Sequence, residues 1–126
     1  MRAAQVARAF RRADKAPGTR LLPSVTFYHE HAHWYAWLFV LMPDHVHALL
    51  SFEQKMSMSR VLGEWKKYHE RKTGVGWQDG YFDHRLRSED EFIEKSSYIR
   101  MNPVRAGLCA AATDWPWIVE PWKQAT

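Results

Sequence analysis

"WYAWLFVLMPDHVHALLSF", residues 34–52, decides the fold. Trp34 to Met42 is almost unbroken apolar sequence rich in aromatics, the composition of a strand covered on both faces. Pro43-Asp44 is turn chemistry: proline fixes φ and the aspartate side chain closes the bend. His45 to Phe52 returns as the second strand of a hairpin. Strand residues two apart share a face. His45 and His47 therefore point one way, and Val46, Ala48 and Leu50 the other.

Downstream of the hairpin, Ser57 or Ser59 can cap a helix over residues 60–73, which Gly74 and Gly76 end. A strand follows at about 80–87. Ser88 to Glu91 spells a capping box, S-x-x-E, and opens a helix running to about Met101. Pro103 then biases Asn102 away from helical backbone. The tail, TDWPWIVEPWKQAT, holds three tryptophans and two prolines and reads as an irregular segment packed on the body. Upstream, residues 3–14 read as a basic helix with Val6, Ala9 and Phe10 on one side, stopped by Lys15-Ala-Pro-Gly18. Residues 21–28 stay ambiguous, because Pro23 interrupts any regular element. Strand, strand, helix, strand, helix from residue 34 onward implies an α+β fold with helices on one face of the sheet.

A chain of 126 residues, 46% apolar, suits one domain with a substantial core. Eighteen Lys+Arg against fourteen Asp+Glu give a net charge of +4, which favours a polyanionic partner. The single cysteine, Cys109, excludes an internal disulfide and a cysteine-rich zinc site, and fits a reducing compartment. No apolar run is long enough to span a membrane, and the N-terminal residues lack the apolar core of a secretory signal. A cytoplasmic location is expected.

Five of the seven histidines fall between His29 and His47. His29-Glu30-x-x-His33 matches the zinc-peptidase pattern, which needs both imidazoles one helical turn apart and a third ligand, for which Glu53 is the candidate. The β-prone residues on both sides favour a polar connection entering a strand instead. His45 and His47 can chelate one divalent ion if a third ligand arrives. The helix from Glu89 offers one: its core side is Phe92, Ser96, Ile99 and Pro103, and its neighbouring stripe is Glu91, Lys95, Tyr98 and Asn102. Tyr98 and Asn102 lie one turn apart. An amide oxygen suits Mg²⁺ or Mn²⁺, and a phenol beside it can attack an electrophile held there. From the residues alone, two half-buried histidines and an edge tyrosine explain the pattern as well.

"FVLMPDHVHALLSF", "WQDGYFDHRLR", "SSYIRMNPVRAGL" and the following "DWPW" resemble, in order and spacing, the HUH-type single-tyrosine transposases of the IS200-like family, most of all the REP-associated tyrosine transposases. The resemblance treats residues 1–126 as one IS200-like domain, with its best match over 34–117. It implies a ferredoxin-like antiparallel sheet with the tyrosine on the last helix. It also implies a metal-dependent enzyme that cleaves and rejoins hairpin-bearing (REP-like) single-stranded DNA through a 5′-phosphotyrosine. On this chain the implied ligands of Mg²⁺ or Mn²⁺ are His45, His47 and Asn102, and the implied nucleophile is Tyr98. Asp44 stands where the family commonly has Asn. The family also places a first strand centrally in the sheet. With residues 3–14 read as helix, that strand is expected to be missing, through truncation or supply by a partner, and a homodimer stays open.

Lys95, three residues before Tyr98, is the candidate to favour the phenolate. Lys66, Lys67, Arg71 and Lys72 on the second helix, Arg85 and Arg87 on the last strand, and Arg100 and Arg105 around the tyrosine turn are candidates to hold DNA, by phosphate pairing with base stacking nearby. Two alternatives are a catalytically inactive hairpin-DNA binder lacking its first strand, and a zinc peptidase using His29, Glu30 and His33.

Overall fold

The computed structural model describes residues 2–11, 18–53, 57–73, 76–77 and 82–124. The hairpin forms as expected: β2 is Tyr35–Leu41 and β3 is His45–Phe52, antiparallel, with Val40 opposite His47. The register shifts between Ala36 and Leu38, a bulge that turns Trp37 and Leu38 toward the same core cluster.

The expected helix over residues 3–14 is not formed. Arg2–Arg11 is strand β1, and it lies inside the sheet. It pairs antiparallel with β3 from Arg2 opposite Phe52 to Ala9 opposite His45. On its other side it pairs with β5 (Phe82–Arg85) and with β4 (Gly76–Trp77). The alanine- and arginine-rich sequence suits a helix by propensity alone. Hydrogen bonding along both edges and burial of Gln5 and Val6 override that weak preference. The first strand is therefore present in this chain.

Residues 21–28 also resolve. They belong to helix α1, Gly18–Glu30, with Pro23 inside it. Proline removes one hydrogen bond of the ladder. Burial of Leu21, Leu22 and Val25 against the sheet offsets that loss. Helix α2, Met58–Thr73, starts at Ser57, whose hydroxyl accepts from the Arg60 amide at 3.3 Å, so Ser57 and not Ser59 is the cap. The expected stop at Gly74 lies outside the described residues, and Gly76 belongs to β4.

The sheet runs β4-β1-β3-β2-β6, with β5 also pairing along β1. This is the α+β, ferredoxin-like arrangement, with its first strand central. α1 and α2 cover one face, around Val25, Phe39, Val46 and Trp65. Helix α3, Glu89–Arg100, covers the other, where Ile99 meets Leu38, Val40 and Leu49. The helices thus occupy both faces, not one. The C-terminal segment is more regular than expected. Ile118–Val119 forms β6 on the edge of β2, and the indoles of Trp115 and Trp122 donate to the carbonyls of Leu41 and Trp37 at 3.0 and 2.8 Å.

Candidate active site

His45 and His47 stand on the face of β3 that α3 covers, because Val46, Ala48 and Leu50 belong to the opposite core. Their ring centroids are 4.7 Å apart, edge to face. Asp44 Oδ1 lies 2.6 Å from His45 Nδ1. A carboxylate only accepts, so this imidazole donates from Nδ1 and Nε2 is the ring nitrogen that a ligand would use. His47 is held well below the ordinary histidine range, to about 4, by burial first and then by the charges of His45 and Arg105. It is a neutral imidazole at neutral pH, the form that donates to a metal.

Helix α3 brings the other two groups. Ser88 caps it: its hydroxyl accepts from the Glu91 amide at 3.1 Å, and three acids fill the first turn. Only half of the expected capping box forms, since the Glu91 carboxylate bonds His84 of β5 at 2.5 Å. That bond, and the charges of His84 and Lys95, hold the Glu91 carboxyl below its ordinary value. α3 ends at Met101, and a further turn, α4, runs Asn102–Arg105 with Pro103 in its first positions. Asn102 is thus helical despite the proline after it. The turn closes on Gly107, at φ +74°, with Leu108 N–H donating to Pro103 O and Gly107 N–H to Val104 O. Those two bonds form a Schellman stop, which accounts for the glycine.

Tyr98 is 55% exposed, with its ring capped by a cation: the Arg105 guanidinium carbon lies 3.8 Å from the ring centroid. Arg105 Nη2 donates to the Tyr98 carbonyl at 2.6 Å and also to Asn102 Oδ1. Its charge is felt at His47. One side chain therefore links the tyrosine and the asparagine. His47 Nδ1 and Asn102 Nδ2 are buried without a hydrogen-bond partner among the described residues. The unpartnered His47 Nδ1 is what a site shaped for a ligand leaves behind, whereas the Asn102 nitrogen only donates, so Oδ1 is the one atom of that side chain able to ligate. Two imidazoles and one amide oxygen are a donor set that a divalent ion such as Mn²⁺ or Mg²⁺ accepts.

Residues 14–102 match the family profile described as Transposase IS200 like. The chain belongs to that family. It is 29% identical over 85 residues to the REP-associated tyrosine transposase of Escherichia coli K12, covering 65% of this chain and 50% of that protein. It is 25% identical to the putative REP-associated tyrosine transposase of Haemophilus influenzae, covering 61% of this chain and 53% of that one. The chain thus spans about half the length of these curated relatives. The fold matches a solved structure of a REP-associated tyrosine transposase bound to a REP hairpin, with a TM-score of 0.80 over 93% of this chain and 75% of the other, at 21% identity.

In this IS200-like chain the remaining candidates scatter. Lys67, Arg71 and Lys72 are exposed on α2, and Lys66 is half-buried there, all across the sheet from Tyr98. Arg85 and Arg87 are exposed at the end of β5 and just beyond it. Arg100 is paired with Glu120, which also holds Lys123 at 2.6 Å. That pair ties α3 to the C-terminal segment and takes Arg100 out of the free basic surface. Lys95 sits by Glu91, and Arg105, not Lys95, is the cation on the Tyr98 ring. The spacing carried this signal: Arg105 is seven residues from Tyr98 and three from Asn102, on one helical side.

The zinc-peptidase pattern is broken by the fold. α1 ends at Glu30, so His29 and His33 are not stacked on one helix. His29 Nδ1 accepts from the Ala36 amide at 3.1 Å, and His33 packs on Tyr28. No group of three His, Cys, Asp or Glu able to hold a metal occurs among the described residues. No helix among them is long and apolar enough to cross a membrane.

Proposed function

We propose that this chain is a divalent-metal-dependent transposase domain that cleaves and rejoins hairpin-bearing single-stranded DNA with Tyr98 as nucleophile. The observation that carries the reading is the link through Arg105. It holds the Tyr98 ring and the Asn102 amide together, at the end of the helix that packs on the sheet face bearing His45 and His47. The hairpin enters by likeness to relatives named for REP elements and by the fold shared with a REP-associated tyrosine transposase solved bound to a REP hairpin. The presence of β1 in the sheet removes the reason for reading the chain as an inactive binder.

His45, His47 and Asn102 Oδ1 would hold the ion, and Asp44 would fix the His45 ring through the bond at Nδ1. When bound, the ion supplies polarisation of a non-bridging phosphate oxygen. Tyr98 Oη attacks phosphorus. The bond from phosphorus to the 3′ oxygen breaks, the phenol proton goes to water, and the departing 3′ oxygen takes a proton from water and leaves as a hydroxyl. The product is a 5′-phosphotyrosine, and attack by a second 3′-OH reverses the step. A tyrosine of pKa about 10 is only about a thousandth ionised at pH 7, a deficit of roughly 4 kcal/mol. Arg105, and not Lys95, is the cation that lies against the Tyr98 ring. Exposed Arg85, Arg87, Lys67, Arg71 and Lys72 would bind phosphates.

Incubation with end-labelled hairpin DNA and Mn²⁺ tests the reading. A covalent protein–DNA adduct should form and disappear in Tyr98→Phe. Cleavage that persists unchanged in that variant refutes the tyrosine mechanism.

A further inference from the structure

Arg105 touches both Tyr98 and Asn102, and its three contacts are of two kinds. The guanidinium lies over the Tyr98 ring at 3.8 Å, a cation–π arrangement that leaves ring and cation together. Its Nη2 also spends its two hydrogens on acceptors, the Tyr98 carbonyl and Asn102 Oδ1. Asn102 Oδ1 is the one atom of that side chain able to bind a cation, because the amide nitrogen only donates. That nitrogen is buried and unpartnered, so the carboxamide is held by its oxygen alone. One lone pair of that oxygen is taken by the guanidinium, whose positive charge stands against a cation approaching the other.

We propose that Arg105 is a positioning residue that occupies Asn102 Oδ1 in the metal-free protein and must release it for the divalent ion to bind. Release frees the guanidinium beside the Tyr98 ring, where an incoming phosphodiester offers anionic oxygens to replace the lost acceptor. Metal and DNA then favour each other: the ion expels Arg105 from Asn102, and the phosphate takes Arg105 up. This inference rests on the proposed metal-binding reading, and its test separates the two.

The test is Mn²⁺ affinity of the DNA-free full chain, by titration calorimetry, across a double-mutant cycle of Arg105→Gln and Asn102→Ala. Arg105→Gln should bind Mn²⁺ about fivefold tighter than wild type, the scale of one exposed charge-assisted bond plus removal of a nearby cation. In the Asn102→Ala background the same substitution should give a clearly smaller gain. Equal gains in both backgrounds would mean that charge alone acts, and would overturn the proposal while leaving the metal site intact. Unchanged or weaker binding by Arg105→Gln would overturn it too. If none of the four proteins binds Mn²⁺, both this inference and the metal reading fall. Circular dichroism checks that each variant folds. Should one not fold, the wild-type guanidinium NMR signals decide: Mg²⁺ should speed exchange of the Arg105 Nη protons, and no change overturns the proposal.

Discussion

Behind the sheet, His69 of α2 is fully buried and joins α1 to α2 through Ser24. The Ser24 hydroxyl donates its only proton to Leu21 O at 2.6 Å, and its oxygen accepts the Trp65 indole N–H at 2.8 Å. The His69 Nε2 contact at 2.8 Å must therefore be a donation from the imidazole. A second proton would have to enter at Nδ1, which is buried. Burial accordingly pushes the His69 pKa down to about 4, against roughly 6.5 in the unfolded chain. Above pH 6.5 both states are neutral and nothing is lost. As pH falls below 6.5 the unfolded state takes up a proton that the folded state refuses, so stability drops until about pH 4. The full loss is about 3 kcal/mol, and about 2 kcal/mol of it is reached by pH 5. His47 loses stability in the same direction over the same range, so the wild type alone cannot assign the effect. His69→Gln keeps an N–H for Ser24 but does not titrate. Urea melts of both proteins at pH 7 and pH 5, at fixed ionic strength, should show wild type losing about 2 kcal/mol more than the variant. For a slope of about 2 kcal/mol/M that is a midpoint difference of about 1 M. Equal losses in the two proteins would show that the His69 imidazolium is accommodated, and would refute the account of the α1–α2 contact.

Other substitutions test separate links. Ile99→Ala, at the fully buried centre of the α3 contact, should cost 2–5 kcal/mol in denaturant titration; a smaller loss would show that α3 packs loosely. Gly107→Ala meets no neighbour within 4 Å but must adopt φ +74°, so it should cost about 1 kcal/mol by thermal melt, and Gly107→Asn less. Asp44→Ala should weaken Mn²⁺ binding 10- to 100-fold by freeing the His45 ring, while Asp44→Asn, which still accepts from Nδ1, should keep most of the affinity. Calorimetry that finds the two variants equal would remove Asp44 from the site.

Much of the fold was legible where pattern and tertiary burial agree. The hairpin of residues 34–52 is apolar enough to be strand under any neighbours, and its alternation placed His45 and His47 on one face. The helix from Ser88 announces itself by its cap. β1 was not legible, because RAAQVARAFR carries no strand signal of its own. Its extended state comes from β3 on one side and β5 on the other, partners distant in the chain. α1 was hidden by Pro23, whose missing N–H outweighs, locally, the Leu21–Leu22–Val25 stripe that the sheet rewards. In the site, the shared side of Tyr98 and Asn102 followed from helical spacing. The part of Arg105 did not emerge, because a surface arginine in a basic chain suggests solvent and phosphate before it suggests a neighbour.

The place of β1 inside the sheet sets a condition on how the protein is made. Its partners, residues 45–52 and 82–85, are synthesised after it, so its backbone groups stay wet until both segments have left the ribosome. Until residues 82–85 arrive, the edge of β1 away from β3 stays open, a template for strands of other chains. Chaperone dependence of yield should therefore follow anything that slows the arrival of residues 82–85.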